Sequence, residues 1–339
     1  TRGIYIYKIH IVFLYKAILF RYNRDCNKKS AMHPTTRSHL SSVLPHLYIN
    51  PLERCNLRCK ICYTKKTSPI LSESEIVEFI NRYEAVQKLE TVTFCGGEVF
   101  TLPYMTHLIN TLTDRGLFIQ VITNGTIHTL SEIHTPNAID LIVSIDGLAP
   151  YHDSNRGEGT FEKSLSYLVD AHARGFHTEI FSIVTKQNLQ DIDLFETYLT
   201  TRLGHPITVT YHPRKPPEYL SHHPISNITG TTDGFDFLSK RQMLLLLKTR
   251  RTFPPKELGC YQIALVSDGS VYGCCEGISP IGIKNDPIPE LISRLTERIE
   301  VWEKNNSRSR CLGCSSPDFV CGMKPYLQAI ENDIQMQTV

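Results

Sequence analysis

The chain has 339 residues, 41% of them hydrophobic and 21% charged, with a formal net charge of +2. That length suits one large domain, or one large and one small, and the absence of any run of about 18 uncharged apolar residues leaves no candidate membrane span. The odd total of 11 cysteines, with nothing else to suggest a small stapled domain, argues against a secreted disulfide framework.

Residues 1–31 differ in character from the rest of the chain. They hold seven Lys/Arg against one Asp, a net of +6, so the remaining residues, 32–339, carry −4 of the overall +2. Ile11 to Phe20 is apolar apart from Lys16, a faint signal-like core, but no small-residue cleavage site comes after it. The expectation is that Met32 is the natural start and that residues 1–31 are a leader, non-native or disordered. The mildly acidic body has no basic stripe and no nucleic-acid motif, so neither nucleic acid nor a membrane is expected as a partner.

An apolar, strand-like stretch from Leu47 to Leu52 leads into Cys55-Asn-Leu-Arg-Cys59-Lys-Ile-Cys62, with the aromatic Tyr63 next. This spacing lets three thiolates meet on one face of a cluster from within a single loop, with no local fourth ligand. A [4Fe–4S] cube so held keeps one iron open for chemistry. A structural zinc site gathers four ligands, often from two CxxC pairs, and fits poorly.

Strands and helices then alternate. Ser72 and Glu75 form a capping box ahead of Ile76, Ile80, Tyr83 and Val86 at helical spacing. Thr91 to Phe94 reads as a strand ending in Cys95-Gly96-Gly97-Glu98, with Cys95 taken as a small buried apolar side chain. A helix at about Pro103 to Arg115 is closed by Gly116. Further strands are expected at Phe118–Thr123, Ile139–Ile145, Glu179–Thr185 and Ile207–Tyr211, with helices at Phe161–Arg174 and Leu189–Thr201. Six such strands imply parallel βα units, an α/β fold built as a partial (β/α)6 TIM-like barrel over residues 45–215. The polar and glycine-bearing signals all fall at carboxyl ends of strands, where such barrels build active sites.

Residues 216–254 read as a Pro-, His- and Ser-rich linker and then a helix at Arg241–Arg250. Beyond Pro255 the alternation stops and cysteines return. A hairpin turns at Asp268-Gly269 with Cys260 and Cys274 on its arms, a helix at about Glu290–Glu303 comes next, and Cys311, Cys314 and Cys321 lie after it. This makes residues 255–325 a small cysteine-rich extension, with 326–339 as a tail. A hairpin pair plus CxxC is also a fair tetrahedral zinc site.

These motifs resemble the radical S-adenosylmethionine (SAM) superfamily, in order and at strand ends. The resemblance implies that Cys55, Cys59 and Cys62 hold a SAM-binding [4Fe–4S] cluster and that Tyr63 lies beside the adenine. It also implies that Gly96, Gly97 and Glu98 meet the SAM amino group, that Asn124 and Ser144 give polar contacts, that Arg156 pairs with the SAM carboxylate, and that Val184 lines the adenine. Val99 departs from the proline common after the motif's acid. The C-terminal cysteines resemble the SPASM auxiliary-cluster extension in its shorter twitch form. Cys260, Cys274, Cys311 and Cys314 would then hold a second [4Fe–4S] cluster; Cys321 could replace one of them and Cys275 is a bystander. The resemblance further implies a cytoplasmic enzyme that takes an electron from a flavodoxin- or ferredoxin-like reductant. It would cleave SAM to a 5′-deoxyadenosyl radical and abstract hydrogen from a peptide or protein. A small-molecule dehydrogenase or cofactor-biosynthesis enzyme is the alternative, and a non-catalytic electron carrier a remote one. His212, beside Tyr211, reads first as a solvated loop histidine and second as a residue facing the substrate.

Overall fold

All six expected strands form, each within two residues of its sequence-based bounds: β1 (His46–Asn50), β2 (Thr91–Phe94), β3 (Phe118–Thr123), β4 (Ile139–Ser144), β5 (His177–Val184) and β6 (Thr208–Pro213). The structure, a computed structural model, describes residues 40–305 apart from 42, 63, 65, 215–232, 253–259 and 275–279. Neighbouring strands β1 to β6 pair in parallel, in the order in which they occur along the chain. Helices return between them: α1 (Glu73–Glu84), α2 (Met105–Asp114), α3 (Ala149–Arg156), α4 (Thr160–Ala173) and α5 (Ile192–Leu203). The result is the expected partial (β/α)6 barrel.

Local signals explain the boundaries. Ser72 and Glu75 make the capping box of α1. At the end of α2, Gly116 takes φ +83° while its N–H reaches Thr113 O and Leu117 N–H reaches Leu112 O, a Schellman closure. Two helical readings change. Val86 falls past the end of α1 and is 50% exposed, because the N–H groups of Val86 and Gln87 both close back on Tyr83 O. Helix α3 has no apolar stripe to announce it, only a proline in its first turn; it buries two polar residues, His152 and Asn155.

Strand alternation sorts the sheet into two faces. Leu47, Ile49, Val92, Phe94, Ile119, Val121, Leu141, Val143 and Ile180 are all 1% exposed or less and form the core under the helices. Each contributes about 1.5–3 kcal/mol by burial. The opposite, concave face is polar near its floor: Thr93 Oγ1 donates to Gln120 Oε1 (2.9 Å), and Gln120 Nε2 to Asp140 Oδ2 (3.1 Å).

After the linker comes α6 (Lys240–Thr249), capped by Ser239 and Gln242, then β7 (Cys260–Val266), β8 (Ser270–Cys274), β9 (Gly282–Ile283) and α7 (Ile288–Asn305). The β7–β8 hairpin turns at Asp268-Gly269 as expected, with Gly269 at φ +84°. The sequence assigns this hairpin to a separate extension. In the fold, β7 pairs in parallel with β1, Leu47 opposite Ile263 and Ile49 opposite Leu265, so the sheet and its buried apolar row continue through it. No helix among the described residues is long and apolar enough to cross a membrane.

Candidate functional site

The cysteine loop leaves β1 at Pro51 and is held on both flanks. On one side it runs beside the segment after β2. Cys95 N–H donates to Ile49 O (3.1 Å), Gly97 N–H to Leu52 O (2.9 Å) and Glu98 N–H to Arg54 O (3.0 Å). The two glycines make this approach possible. A Cβ on Gly96, which sits at φ +143°, would lie 2.3 Å from both Leu52 O and Asn50 Oδ1, and one on Gly97 would lie 1.8 Å from Arg54 O. The glycine pair is therefore used against the cysteine loop's own backbone. Cys95 is buried, as expected.

Glu98 is wholly buried and holds three donors: Asn124 N–H (2.7 Å), Thr123 Oγ1–H (2.8 Å) and Phe100 N–H (3.2 Å). Burial raises its carboxyl above the ordinary range, and those donors together with the Arg156 charge oppose the rise. Its acid thus braces the end of β3. Asn124, so braced, turns to the cysteine loop: its Nδ2 donates to Asn56 Oδ1 (2.9 Å) and its Oδ1 accepts from Thr126 N–H (2.9 Å) and Oγ1–H (2.6 Å).

The other flank is built on Asp146, just past β4. This wholly buried carboxylate receives Arg156 Nε–H at 2.6 Å and Nη2–H at 2.9 Å, Asn155 Nδ2–H at 2.8 Å and Ile183 N–H at 3.2 Å. Its backbone N–H goes to His152 Nδ1 (3.2 Å) and its carbonyl accepts from Asn188 Nδ2 (2.6 Å). Asn155 in turn takes two amides of the cysteine loop, Lys60 N–H on its carbonyl (3.0 Å) and Ile61 N–H on its Oδ1 (3.2 Å). Arg156, expected to face the SAM carboxylate, has its fork on Asp146, and its charge acts on the Cys59 and Cys62 thiols. Burial pushes the Cys59 thiol up to about 11, with Arg156 pulling the other way; Cys62 lies below the ordinary range because hydrogen bonds from Thr64 and the Lys66 charge outweigh its burial.

The loop thus carries Cys55, Cys59 and Cys62 together between two buried acids. Among the described residues, no three Cys, His, Asp or Glu side chains converge closely enough to hold a metal ion as they stand. The donor set itself, three thiols with a guanidinium beside two of them, suits an iron–sulfur cluster better than a hard cation. Ser144 is buried at the end of β4 on the concave face, opposite Phe181. Val184 is wholly buried, and alternation from Ile183 puts its side chain on the helix-packed face, with its carbonyl on Arg214 N–H (2.9 Å). His212 is not a solvated loop residue: it lies in β6, 3% exposed, and stacks on Phe181 with ring centroids 5.5 Å apart.

Cys260 and Cys274 stand opposite each other in the backbone register of β7 and β8. Tyr63, Cys275, Cys311, Cys314 and Cys321 lie outside the described residues. Asp146, Asn155, His152 and Asn188 escape sequence reasoning. The available signal was a carboxylate directly after the apolar strand β4, with an arginine ten positions on.

The comparisons agree with this geometry. Residues 49–198 match the model of the radical SAM superfamily. The chain is 33% identical over 168 residues to an AdoMet-dependent heme synthase of Methanosarcina barkeri, covering 47% of this chain and 46% of that protein. It is 30% identical over 172 residues to an S-adenosylmethionine-dependent nucleotide dehydratase of Lacinutrix mariniflava, covering 46% and 36%. These matches span less than half the length of either relative. In fold it is similar to SuiB of Streptococcus suis bound to S-adenosylmethionine, with a TM-score of 0.60 at 14% identity over 96% of this chain and 86% of that one. In a second structure SuiB is bound to the precursor peptide SuiA (TM-score 0.57, 13% identity, 84% and 78% covered). With three cysteines at this spacing, a glycine pair pressed on their loop and a parallel sheet ending beneath them, residues 49–198 match the radical SAM superfamily in motif order as well as in its family model.

Proposed function

We propose that the protein is a radical SAM enzyme that modifies a peptide or protein. The observation that carries the radical SAM part of this reading is the cysteine loop, fixed by backbone hydrogen bonds to Gly97 and Glu98 on one flank and to Asn155 on the other. Cys55, Cys59 and Cys62 would hold a [4Fe–4S] cluster; with SAM and an external one-electron reductant, that group supplies a 5′-deoxyadenosyl radical for hydrogen abstraction. The protein's own residues bind, orient and exclude water. Ser144 and Asn124 stand at strand ends, with Phe181 opposite Ser144 and Ile183 further along β5 on the same concave face.

That face supports an amine- or amide-bearing substrate over a polyanion. Asp140 is 8% exposed and its Oδ1 has no hydrogen-bond partner, and Glu179 is near it. Burial raises both carboxyls, with Gln120, His177 and Arg251 opposing it at Asp140 and Arg251 at Glu179. A phosphate brought to this floor would meet two acids beside His177 and one guanidinium, Arg251, 3.5 Å from Glu179. A small-molecule substrate is the second reading, favoured by the heme synthase and the dehydratase being closer in sequence than the peptide-bound neighbour.

A second, twitch-like cluster on Cys260, Cys274, Cys311 and Cys314, with Cys321 as a replacement for one of them, belongs to the same proposal. Its support is the facing backbone positions of Cys260 and Cys274. Iron and sulfide counts test it: about eight irons per reconstituted chain are expected, and about four would remove it. For the reaction itself, Cys59→Ala is expected to abolish 5′-deoxyadenosine formation from SAM by reduced protein; unchanged formation would overturn the reading. Deuterium transfer from labelled peptides into 5′-deoxyadenosine then separates the substrate classes.

A further inference from the structure

We propose that Asp146 and Asn155 are positioning residues for the cysteine loop, and that the Asp146–Arg156 pair sets the charge felt at its thiolates. This rests on the reading of Cys55, Cys59 and Cys62 as cluster ligands. The case is geometric. Asp146 lies at the end of β4, Asn155 and Arg156 in the last turn of α3, and Lys60 and Ile61 between the second and third cysteines. Asn155 spans the gap. Its Nδ2 is fixed on Asp146, which leaves its Oδ1 aimed at Ile61 N–H, and its carbonyl, at the unpaired end of the helix, takes Lys60 N–H. One residue, through its side chain and its carbonyl, thereby sets the backbone that separates Cys59 from Cys62. Asn155 is 2% exposed and Asp146 wholly buried, so water does not compete for these bonds.

The pair also explains why Arg156 is there. A buried guanidinium needs a partner, and Asp146 grips it through both Nε and Nη2, fixing its charge next to Asn155, which holds the Lys60 and Ile61 amides between Cys59 and Cys62. The two partners carry opposite charges beside that stretch. Adding an electron to a cluster there is favoured by Arg156 and opposed by Asp146. Residues that only held the fold would not give opposite shifts.

The test uses the full chain. In the apo protein, Asn155→Ala removes the side-chain acceptor of Ile61 N–H but keeps the main-chain carbonyl that holds Lys60 N–H, and is expected to speed hydrogen exchange at the Ile61 amide at least tenfold while β2 and β3 keep their protection. In anaerobically reconstituted protein, Asp146→Asn is expected to move the cluster's midpoint potential upward and Arg156→Gln to move it downward, read by redox titration with electron paramagnetic resonance. Exchange at Ile61 that is unchanged, or that rises equally throughout the chain, would overturn the positioning role. Potentials that stay put, or move the same way in both variants, would overturn the electrostatic one. Failure of these variants to fold while Asn155→Ala folds with normal exchange would also count against it. None of these readouts depends on the substrate, so a wrong substrate class leaves them standing, whereas wild-type protein that assembles no cluster brings down the underlying reading instead.

Discussion

His152 shows how much of this site depends on a single uncharged ring. It is wholly buried on α3 and accepts the Asp146 N–H through Nδ1, which requires the neutral imidazole. Burial depresses its pKa from 6.5 to about 4, with Asp146 pulling the other way. The folded state therefore binds its proton less readily than the unfolded chain. Its stabilising contribution is full above the ordinary imidazole range and is lost as pH falls toward 4. Between pH 7 and pH 5 the loss is about 2 kcal/mol. Urea unfolding at the two pH values is expected to show that difference in the wild type and to lose most of it in His152→Gln, whose amide oxygen can still accept the Asp146 N–H. Equal slopes in both proteins would show that His152 titrates normally.

At the scale of elements, the turn after β2 illustrates a glycine chosen for space. Any Cβ on Gly97 would meet the Arg54 carbonyl at 1.8 Å, and because the obstacle is backbone, the cysteine loop itself has to move. Gly116 is a control of a different kind: a Cβ there has nothing within 4 Å, and only its φ of +83° resists substitution. Gly116→Ala is expected to cost about 1 kcal/mol, and Gly97→Ala about 2–4 kcal/mol, both read by urea denaturation. A Gly97→Ala protein as stable as wild type would mean that the loop does not pack as described. The resemblance read the glycine pair as meeting the SAM amino group. Its packing on the Arg54 carbonyl was not legible, because Arg54 and Gly97 lie 43 positions apart and no local pattern spans that distance.

Across the whole molecule, the first βα unit is tied to the C-terminal hairpin region. Lys284 reaches Glu75 on α1, and Arg82 on the same helix donates to the carbonyls of Lys284 and Asp286. The Lys284 and Ser72 hydrogen bonds hold the Glu75 carboxyl down at about 2. A depressed carboxylate contributes above its ordinary range and loses that contribution as pH falls toward 2. The pair is solvent-screened, so Glu75→Gln is expected to lower stability by no more than about 1 kcal/mol near neutral pH. The deficit should shrink when unfolding is measured near pH 3; a constant deficit would assign it to the capping box alone.

Much of the architecture was local and so readable in advance. Strand periodicity, the Ser72–Glu75 box, Gly116 and the Asp268-Gly269 turn each act within a few residues, and they delivered six parallel strands and the hairpin. The cysteine spacing likewise announced its chemistry, since ligands drawn from one loop need only one loop's sequence. Three things required tertiary structure: that β7 joins β1, that α3 forms, and that Asp146 gathers Arg156, Asn155 and Ile183. Helix α3 carries almost no apolar pattern and exists because its polar residues are satisfied from other elements. A buried polar network is made of partners distant in sequence, and only the folded chain decides which of them meet.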